Sequence, residues 1–438
     1  MIRLGLPSSV RVLVISCTLF FLFITYGRNH FYRDPGSAFF DQDRAFERYY
    51  SLVRELEASD WRNEVFHQLK GHTNQTTHGN HDVLHSKGPD PQLCAVFVTA
   101  YREGGPQYVD TAISSALAGL TPAERKDIDV RLYVANTDPS VHPAWNSWLR
   151  DVVDDTFTTK DNVYASKMQH MKVLEKEKKF HEKAGLDYSV ALQRCVADSA
   201  APYIAIFEGD VIIADGWFAR TLLGLKDIRE QYEMGTKQWL YMRLFNEERS
   251  TGWATKDPLG NNVLWISLGV DVFLCAIAFL LKRHSRLLGP LFSPLSMLII
   301  CLITVPGLVI LFFQAGKASM LPPSTGVHRE DGFGCCNQGM IYPREVAADL
   351  ASYLEEMAAN MPHDNAIMEY HRKKQLALFA LYPMQVQHVG FRSIITPNRR
   401  DDMEVWSMAF ESLSPTNLAH DHERMVKEIY GDKAWELT

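Results

Sequence analysis

The sequence predicts an α/β fold: a mostly parallel sheet with flanking helices, split by an inserted transmembrane helical hairpin and preceded by an N-terminal transmembrane anchor. Two observations carry this prediction. Short apolar runs typical of buried strands alternate with helical patterns. Three apolar segments, at residues 12–26, 263–281 and 291–313, approach or reach the length that crosses a bilayer.

Neither soluble stretch reads as a complete domain alone. The first ends near Trp253, and the second resumes at Gln314 with a glycine-rich stretch and two helical patterns. One domain interrupted by the hairpin explains both. The predicted order is a cytoplasmic tail and anchor (1–28), a lumenal stem and linker (29–92), the first part of the domain (93–262), the hairpin (263–313), and the second part with a tail (314–438).

Composition limits the possible partners. The chain has 438 residues, of which 46% are hydrophobic, and this suffices for one large domain or two ordinary ones. The formal net charge of −7 gives no basic footprint. We therefore expect no nucleic-acid partner.

Charge predicts the orientation of the membrane segments. The first segment could be a cleaved signal peptide, but no small-residue cleavage site follows it before Arg28, which favours an uncleaved anchor. The hairpin loop at residues 282–286 is short and basic, which favours the cytoplasmic side. The stretches before and after the hairpin then share the lumen.

Taken in order, the elements alternate along the chain. Residues 41–70 have the spacing of a stem helix or helix pair, and the His-rich residues 71–92 are typical of a linker. Strands are predicted at 93–99, 130–135, 203–207, 211–213 and 239–245. Helices are predicted at 108–120, 143–153, 165–184, 188–199, 344–359 and 364–379. Such sheets bind ligands at the carboxyl ends of their strands.

Cysteines and a sequon agree with an oxidising lumen. Asn74 begins a glycosylation tripeptide in the linker. Four cysteines lie outside the membrane segments: Cys94, Cys195, Cys335 and Cys336. They allow three disulfide pairings, and free thiols are a further alternative.

The most informative stretch is residues 201–217, in which a buried strand ends at Glu208-Gly209-Asp210. In an extended chain, Glu208 and Asp210 point to the same face, and Gly209 leaves room for a ligand. Two carboxylates on one side suit manganese or magnesium, which also takes phosphate oxygens. A solvated turn is the alternative interpretation.

Other residues of suitable chemistry follow predicted strands. Thr99, Tyr101 and Arg102 lie at the end of the first strand and in the loop after it, which carries a cation and glycines at the edge where such sheets bind ligands. The second part contributes a glycine-rich strand entry, an acid that opens a helix, and a histidine able to complete a cation's ligand shell. These residues are Gly334, Gly339, Asp364 and His388.

With these motifs in this order, the chain resembles the Golgi GPI-anchor GalNAc transferase family, whose domain has a GT-A glycosyltransferase fold. The hairpin position is the most specific element, and residues 387–390 (Gln-His-Val-Gly) are also similar to the end of N-acetylglucosaminyltransferase IV. The resemblance covers residues 93–393. The acidic motif of that family is fuller, Glu-Asp-Asp, and Gly209 stands at its middle position.

The resemblance implies a multi-pass Golgi membrane enzyme with a lumenal catalytic domain. It would transfer a sugar, GalNAc first and galactose or GlcNAc as alternatives, from a UDP-sugar to the glycan of a GPI-anchored protein or glycolipid. The mechanism would be inverting and dependent on manganese or magnesium bound by Glu208, Asp210 and His388. Asp364 would be the base, with Glu247 or Glu248 as alternatives.

A different class of function also fits the sequence. The missing middle acid at Gly209 favours a catalytically silent GT-A-like lumenal protein that binds glycolipid or assists another transferase. The presence of both Asp364 and His388 favours the enzyme. A transporter is a weaker alternative, since three membrane segments with one internal acid provide little of a transport pathway.

Overall fold

The computed structural model describes residues 7–72, 87–161, 167–232, 238–248, 252–253, 257–284, 292–330, 336–390 and 405–435. The predicted residues Asn74, Gly334 and Cys335 lie outside them. The chain divides into two compact units. A membrane unit comprises Met1–Glu47 and Glu248–Pro322, and a sheet unit comprises Arg48–Glu247 and Pro323–Thr438.

The sheet unit is built on eight strands in the order β3-β2-β1-β4-β8-β6-β9-β7, with a separate pair β5-β10. Six strands of the large sheet run parallel, and β8 and β7 run antiparallel to their neighbours. The strands are β1 (Leu93–Thr99), β2 (Ile128–Val134), β3 (Asp155–Thr158), β4 (Tyr203–Glu208), β5 (Val211–Ile213), β6 (Trp239–Arg243), β7 (Gly326–Glu330), β8 (Gly339–Pro343), β9 (Ala377–Tyr382) and β10 (Val386–His388).

Helices flank this sheet, so the predicted mostly parallel α/β class is confirmed. In the sheet unit they are α3 (Tyr50–His72), α4 (Val109–Leu117), α5 (Pro122–Asp127), α6 (Met168–Lys176), α7 (Phe180–Asp198), α8 (Trp217–Gln231), α13 (Arg344–Met357), α14 (His363–Lys374), α15 (Met408–Glu411) and α16 (Pro415–Tyr430). In the membrane unit they are α1 (Ser8–His30), α2 (Gln42–Ala45), α9 (Val263–His284), α10 (Pro294–Ile299), α11 (Val305–Gln314) and α12 (Lys317–Met320).

The continuous apolar strands are buried on both faces, as their sequences predict. On one face, Phe97 of β1 stacks on Phe207 of β4 with ring centroids 5.0 Å apart. On the other, a disulfide joins Cys94 of β1 to Cys195 of α7. This pairing is one of the three that the sequence allows, and it fixes a flanking helix to the centre of the sheet.

Two of the predicted helices, at residues 143–153 and 364–379, take a different form in the structure. Residues 143–153 form two short 3₁₀ helices, Pro143–Asn146 and Trp148–Asp151, because the Ser147 side chain accepts from Leu149 N–H and starts a new turn. Residues 364–379 do not form one helix. Gln375 adopts a left-handed conformation that ends α14, and β9 begins at Ala377.

Part of the predicted stem packs on the sheet unit. Arg54 of α3 is 3% exposed, and its guanidinium donates to three main-chain carbonyls, those of Ile213, Ser115 and Ala118. These contacts fix α3 next to β5. Because β5 follows Asp210 directly, α3 supports the strand pair that carries the candidate metal ligands.

In the described part of the membrane unit, three helices are long and apolar enough to cross a bilayer: Ser8–His30, Gly260–Arg283 and Pro294–Gln314. The predicted N-terminal span and inserted hairpin are thus present. The third span is interrupted by a π-helical turn, Ile300–Thr304, just before Pro306. Thr304 in this turn makes a 2.7 Å hydroxyl contact with Ser16 of α1, the kind of polar contact that joins membrane helices.

The C-terminal helix α16 is tied to the sheet unit by His422. Its Nε2 lies 3.0 Å from the fully buried Glu124 carboxylate, and its Nδ1 lies 3.3 Å from Asp215. Burial opposes a charged imidazole, but the Asp215 and Glu124 carboxylates raise the pKa of His422 to about 9. The folded state therefore holds a proton on this histidine that the unfolded chain releases near pH 6.5.

Replacement of His422 with Gln should lower the thermal midpoint of the purified protein by roughly 5 °C at pH 6. The ion-pair contribution is fully present below pH 6.5 and disappears as the pH rises through 9, so the difference from wild type should shrink over that interval. His420→Gln on the exposed side of α16 is the matched control. A difference independent of pH, or an equal loss in the control, would refute the assignment.

Candidate active site

The candidate site lies where β4 ends. Glu208 is the last residue of β4, and Asp210 follows Gly209 in the turn that leads into β5. Asp210 is 5% exposed, whereas Glu208 is half-buried. Since β1, β4, β6 and β9 run parallel, the turn is at the edge where their carboxyl ends meet.

His388 reaches this turn from the far end of the sequence. Strand β10 pairs antiparallel with β5 so that His388 lies opposite Val211, and Val389 N–H donates to the Asp210 carbonyl at 2.9 Å. The His388 Nε2 is 3.1 Å from Asp210 Oδ2. Ligand atoms of Glu208, Asp210 and His388 all lie within 4.8 Å of one another.

Hydrogen bonding fixes which histidine nitrogen faces the acids. His388 Nδ1 lies 3.2 Å from the Val405 carbonyl, which only accepts, so Nδ1 carries a proton. Nε2 then faces Asp210 Oδ2 either as a second N–H or as a lone pair directed at a cation. The second state is the usual one of a metal-binding histidine, so the donor set of two carboxylates and one imidazole fits a divalent cation.

The charges of the three residues depend on one another. Burial and the neighbouring Asp210 carboxylate raise the pKa of Glu208 to about 8. Burial opposes ionisation of Asp210, but Arg102 and His388 hold its pKa well below the usual range. Burial likewise opposes a charged His388, and Asp210 nevertheless raises its pKa. A divalent cation would displace the protons of Glu208 and His388, so its binding should strengthen as pH rises toward 8.

Arg102 also converges on Asp210. Its Nη2 donates to Asp210 Oδ2 at 2.7 Å, and its guanidinium lies over the Tyr108 ring at 5.1 Å. The Gln107 side chain accepts from Arg102 N–H and donates to the Arg102 carbonyl. The loop after β1 therefore places a fixed positive charge beside the acids.

Two glycines allow protein atoms of the site to pack closely, and the space beside Gly209 that the sequence assigned to a ligand is filled by Thr99 and Val98. A Cβ on Gly390 would collide with Asp210 Oδ2 and approach His388 Nε2 to 2.9 Å. A Cβ on Gly209 would stand 3.0 Å from both Thr99 Oγ1 and the Val98 carbonyl oxygen. The middle position of the acidic motif is thus closely packed, which explains why a glycine occupies position 209.

Asp364 is linked to the site through the two residues that precede β8. Asn337 Nδ2 donates to Asp364 Oδ1 at 2.6 Å, and the next residue, Gln338, donates to Glu208 Oε2 at 3.4 Å. His363 Nε2 also lies 3.1 Å from Asp364 Oδ1. The side chain of Asp364 is 36% exposed, so this carboxylate is open to a solvent-borne group.

The remaining predicted residues occupy different positions. Thr99 Oγ1 lies 3.0 Å from His142 Nε2, Tyr101 N–H donates to Asn136 Oδ1, and the Tyr101 side chain is 38% exposed. Gly339 pairs with Phe207 at the start of β8, next to the end of β4. The two predicted alternative bases, Glu247 and Glu248, follow β6 and are buried, at 7% and 6% exposure. Neither belongs to the three-residue ligand cluster in the described part of the chain.

Several residues of the site escaped sequence reasoning. His142 Nδ1 accepts from Ala144 N–H, so its Nε2–H donates to Thr99, and burial together with Arg102 lowers the His142 pKa to about 4. A lone histidine in a loop carries no sequence signal. Gly390 and the Asn337-Gln338 pair stand beside residues that were recognised, but their roles depend on contacts across the fold.

A mostly parallel sheet with two carboxylates and a histidine at the strand ends is the arrangement of a GT-A-type glycosyltransferase. The model of the family described as GPI-N-acetylgalactosamine transferase PGAP4 matches residues 93–387, about two thirds of the chain. The chain belongs to this glycosyltransferase family, and the resemblance found in the sequence is confirmed.

Other comparisons add little to this assignment. No curated protein matches the sequence. Among solved structures, the apo crystal structure of mouse xyloside xylosyltransferase 1 is similar at 11% identity, over 79% of this chain and 93% of that chain, with a TM-score of 0.26. A TM-score this low has no bearing on the site.

Replacement of Gly390 with Ala should weaken Mn²⁺ binding by the full-length protein at least about tenfold, because the added methyl group displaces the Asp210 carboxylate. Isothermal titration calorimetry measures the affinity. Gly252→Ala is the control, since a Cβ there meets open space. Unchanged Mn²⁺ affinity in folded Gly390→Ala protein would contradict the geometry of the cluster.

Proposed function

We propose that this protein transfers N-acetylgalactosamine from a UDP-sugar to the glycan of a GPI anchor, with inversion at the anomeric carbon. The observation that carries the proposal is the cluster of Glu208, Asp210 and His388 at the strand ends of a chain in this family. These three residues would hold manganese or magnesium. The cation, when bound, neutralises the negative charge that develops on the departing diphosphate.

The positive charge of Arg102 supports a role in donor binding. Its guanidinium donates to Asp210 and lies over the Tyr108 ring, and Gln107 holds the Arg102 main chain. A diphosphate at this edge would meet a planar group suited to phosphate oxygens. The Thr99 hydroxyl accepts a hydrogen bond from His142, so the hydroxyl proton of Thr99 is directed toward another acceptor. An oxygen of the bound UDP-sugar would be such an acceptor.

Asp364 is the carboxylate best suited to remove the acceptor proton. Hydrogen bonds of Asn337 and Gln338 connect it to the cluster of candidate metal ligands. Its side chain is exposed enough for an acceptor hydroxyl to reach it. Glu247 and Glu248 are buried and stay secondary candidates. Asn337 donates to Asp364 Oδ1, which keeps that carboxylate oriented.

The sugar transfer takes place in a single displacement step. The acceptor oxygen forms a bond to the anomeric carbon while the bond from that carbon to the diphosphate breaks, and the electron pair leaves with UDP. The hydroxyl proton passes to Asp364 Oδ. Because attack and departure occur on opposite faces, the configuration inverts.

The basic end of the hairpin helix supports catalytic residues on the lumenal side of the membrane, and the Golgi location rests on the family resemblance. Lys282 and Arg283 end the first helix of the hairpin, and short basic loops favour the cytoplasmic side. An acceptor anchored in lipid would then share a membrane with the enzyme, which raises its effective concentration.

Purified protein in detergent should release UDP from UDP-GalNAc faster than from UDP-Gal or UDP-GlcNAc, and only with a GPI-glycan acceptor and Mn²⁺. Asp364→Asn should lower kcat by about 10²- to 10⁴-fold with little change in UDP binding, because the base acts only on the acceptor. Coupled detection of UDP measures the rate, and EDTA should abolish it.

Glu247→Gln and Glu248→Gln are the matched charge-removal controls, and we expect kcat to stay within about fivefold of wild type. A large kcat loss in either control, with little loss in Asp364→Asn, would instead assign the base to the segment after β6. No turnover with any donor, from protein shown to be folded, would refute the enzyme and favour a glycolipid-binding protein. The close packing around Gly209 offers a steric explanation for the glycine that does not depend on loss of activity.

A further inference from the structure

The membrane unit holds a cavity that the proposed reaction does not use. It has a volume of about 400 Å³ and lies between the ends of α1 and α11 and the segment that follows α1. Most of its lining is apolar, and the polar members are one arginine and one glutamine. The lining residues are Ile24, Arg28, Ala38, Phe39, Phe40, Leu311 and Gln314.

The cavity is built by close packing within the membrane unit. Gly27 of α1 is buried against Phe39, and a Cβ there would stand 2.7 Å from the ring. Ala38 N–H donates to the Gln314 carbonyl at 2.7 Å. These contacts fold the segment after α1 back over the end of α11 and close one side of the cavity.

Helix length places the cavity at the depth of the lipid headgroups. The 23 residues of α1 extend about 35 Å at 1.5 Å each, which exceeds the roughly 30 Å of a hydrocarbon core. Arg28 is in the last turn of this helix, and Gln314 is the last residue of α11. Tyr26 stacks on His30 at 3.8 Å in the same turns, as aromatic side chains do at a bilayer surface.

The charge inside the cavity is uncompensated within the part of the chain that the structure describes. Arg28 is exposed, and no acidic side chain of that part forms an ion pair with it. A guanidinium at the mouth and hydrocarbon walls below match a molecule with an anionic head and an apolar tail. The planar fork of arginine suits a phosphate in particular.

We propose that this cavity binds one phospholipid, with its phosphate on Arg28 and an acyl chain along Ile24 and Leu311. The site is separate from the transferase residues, so it stands whether or not the proposed activity is correct. Bound lipid would fill the space between α1 and α11 and stabilise the contact between the anchor and the inserted hairpin.

Native mass spectrometry of delipidated full-length protein tests the proposal with phosphatidylinositol as the probe. We expect saturable binding of one lipid, and binding at least about tenfold weaker in Arg28→Gln, because one charge-assisted contact is lost. Ala38→Leu, which fills the cavity and keeps the charge, should weaken binding as well. Diacylglycerol with the same chains should bind as weakly to wild type as phosphatidylinositol binds to Arg28→Gln.

Arg283→Gln is the control, because it removes an exposed cation at an end of α9 outside the cavity, and it should bind as wild type does. An equal loss in this control would reduce the effect to bulk charge and overturn the site. An affinity for phosphatidylinositol in Arg28→Gln equal to that of wild type would also overturn the site. Competition by water-soluble glycerophosphoinositol at the same concentration as the lipid would identify a free phosphate site and contradict the lipid proposal.

Discussion

The contact between His388 and Asp210 joins sequence from both sides of the inserted hairpin. Asp210 precedes the hairpin and His388 follows it, yet β5 and β10 pair so that the imidazole meets the carboxylate at 3.1 Å. The rest of the sheet unit supports this contact. Strands β6 and β8 lie side by side across the same insertion, and Arg54 of α3 fixes β5 through its carbonyl at Ile213.

Burial of two acids in one small site is costly without positive charge. The protein supplies Arg102 and His388, and both contact Asp210 Oδ2. Glu208 receives a weaker contact from Gln338, and its pKa rises to about 8 as a consequence of burial and of Asp210. When Glu208 is ionised and His388 Nε2 carries no proton, two carboxylates face the single positive charge of Arg102, and a divalent cation would complete this arrangement. The glycines at 209 and 390 allow the close packing of Thr99, Asp210 and His388 on which the site depends.

Local patterns predicted much of this molecule, because continuous apolar runs and the two-residue spacing of Glu208 and Asp210 depend on neighbours in sequence. The sheet class, the membrane helices and the shared face of Glu208 and Asp210 followed from such patterns, whereas His388 was added to the site from the order of the motifs along the chain. Strand β9 was missed because Ala377 and Phe379 fit the helical pattern of the preceding residues. Only the left-handed backbone of Gln375, which the sequence does not reveal, shows that the helix ends there. The roles of His142 and Gly390 arise only from contacts between distant segments, which no local pattern encodes.

Pulsed electron paramagnetic resonance on full-length protein loaded with Mn²⁺ and UDP tests the central claim most directly. Protein labelled with ¹⁵N only at histidine should show one directly bound nitrogen, and the coupling should vanish in His388→Gln while His142→Gln retains it. Persistence of the nitrogen coupling in His388→Gln, or its absence in wild type that binds Mn²⁺, would contradict a cation site built from both halves of the chain.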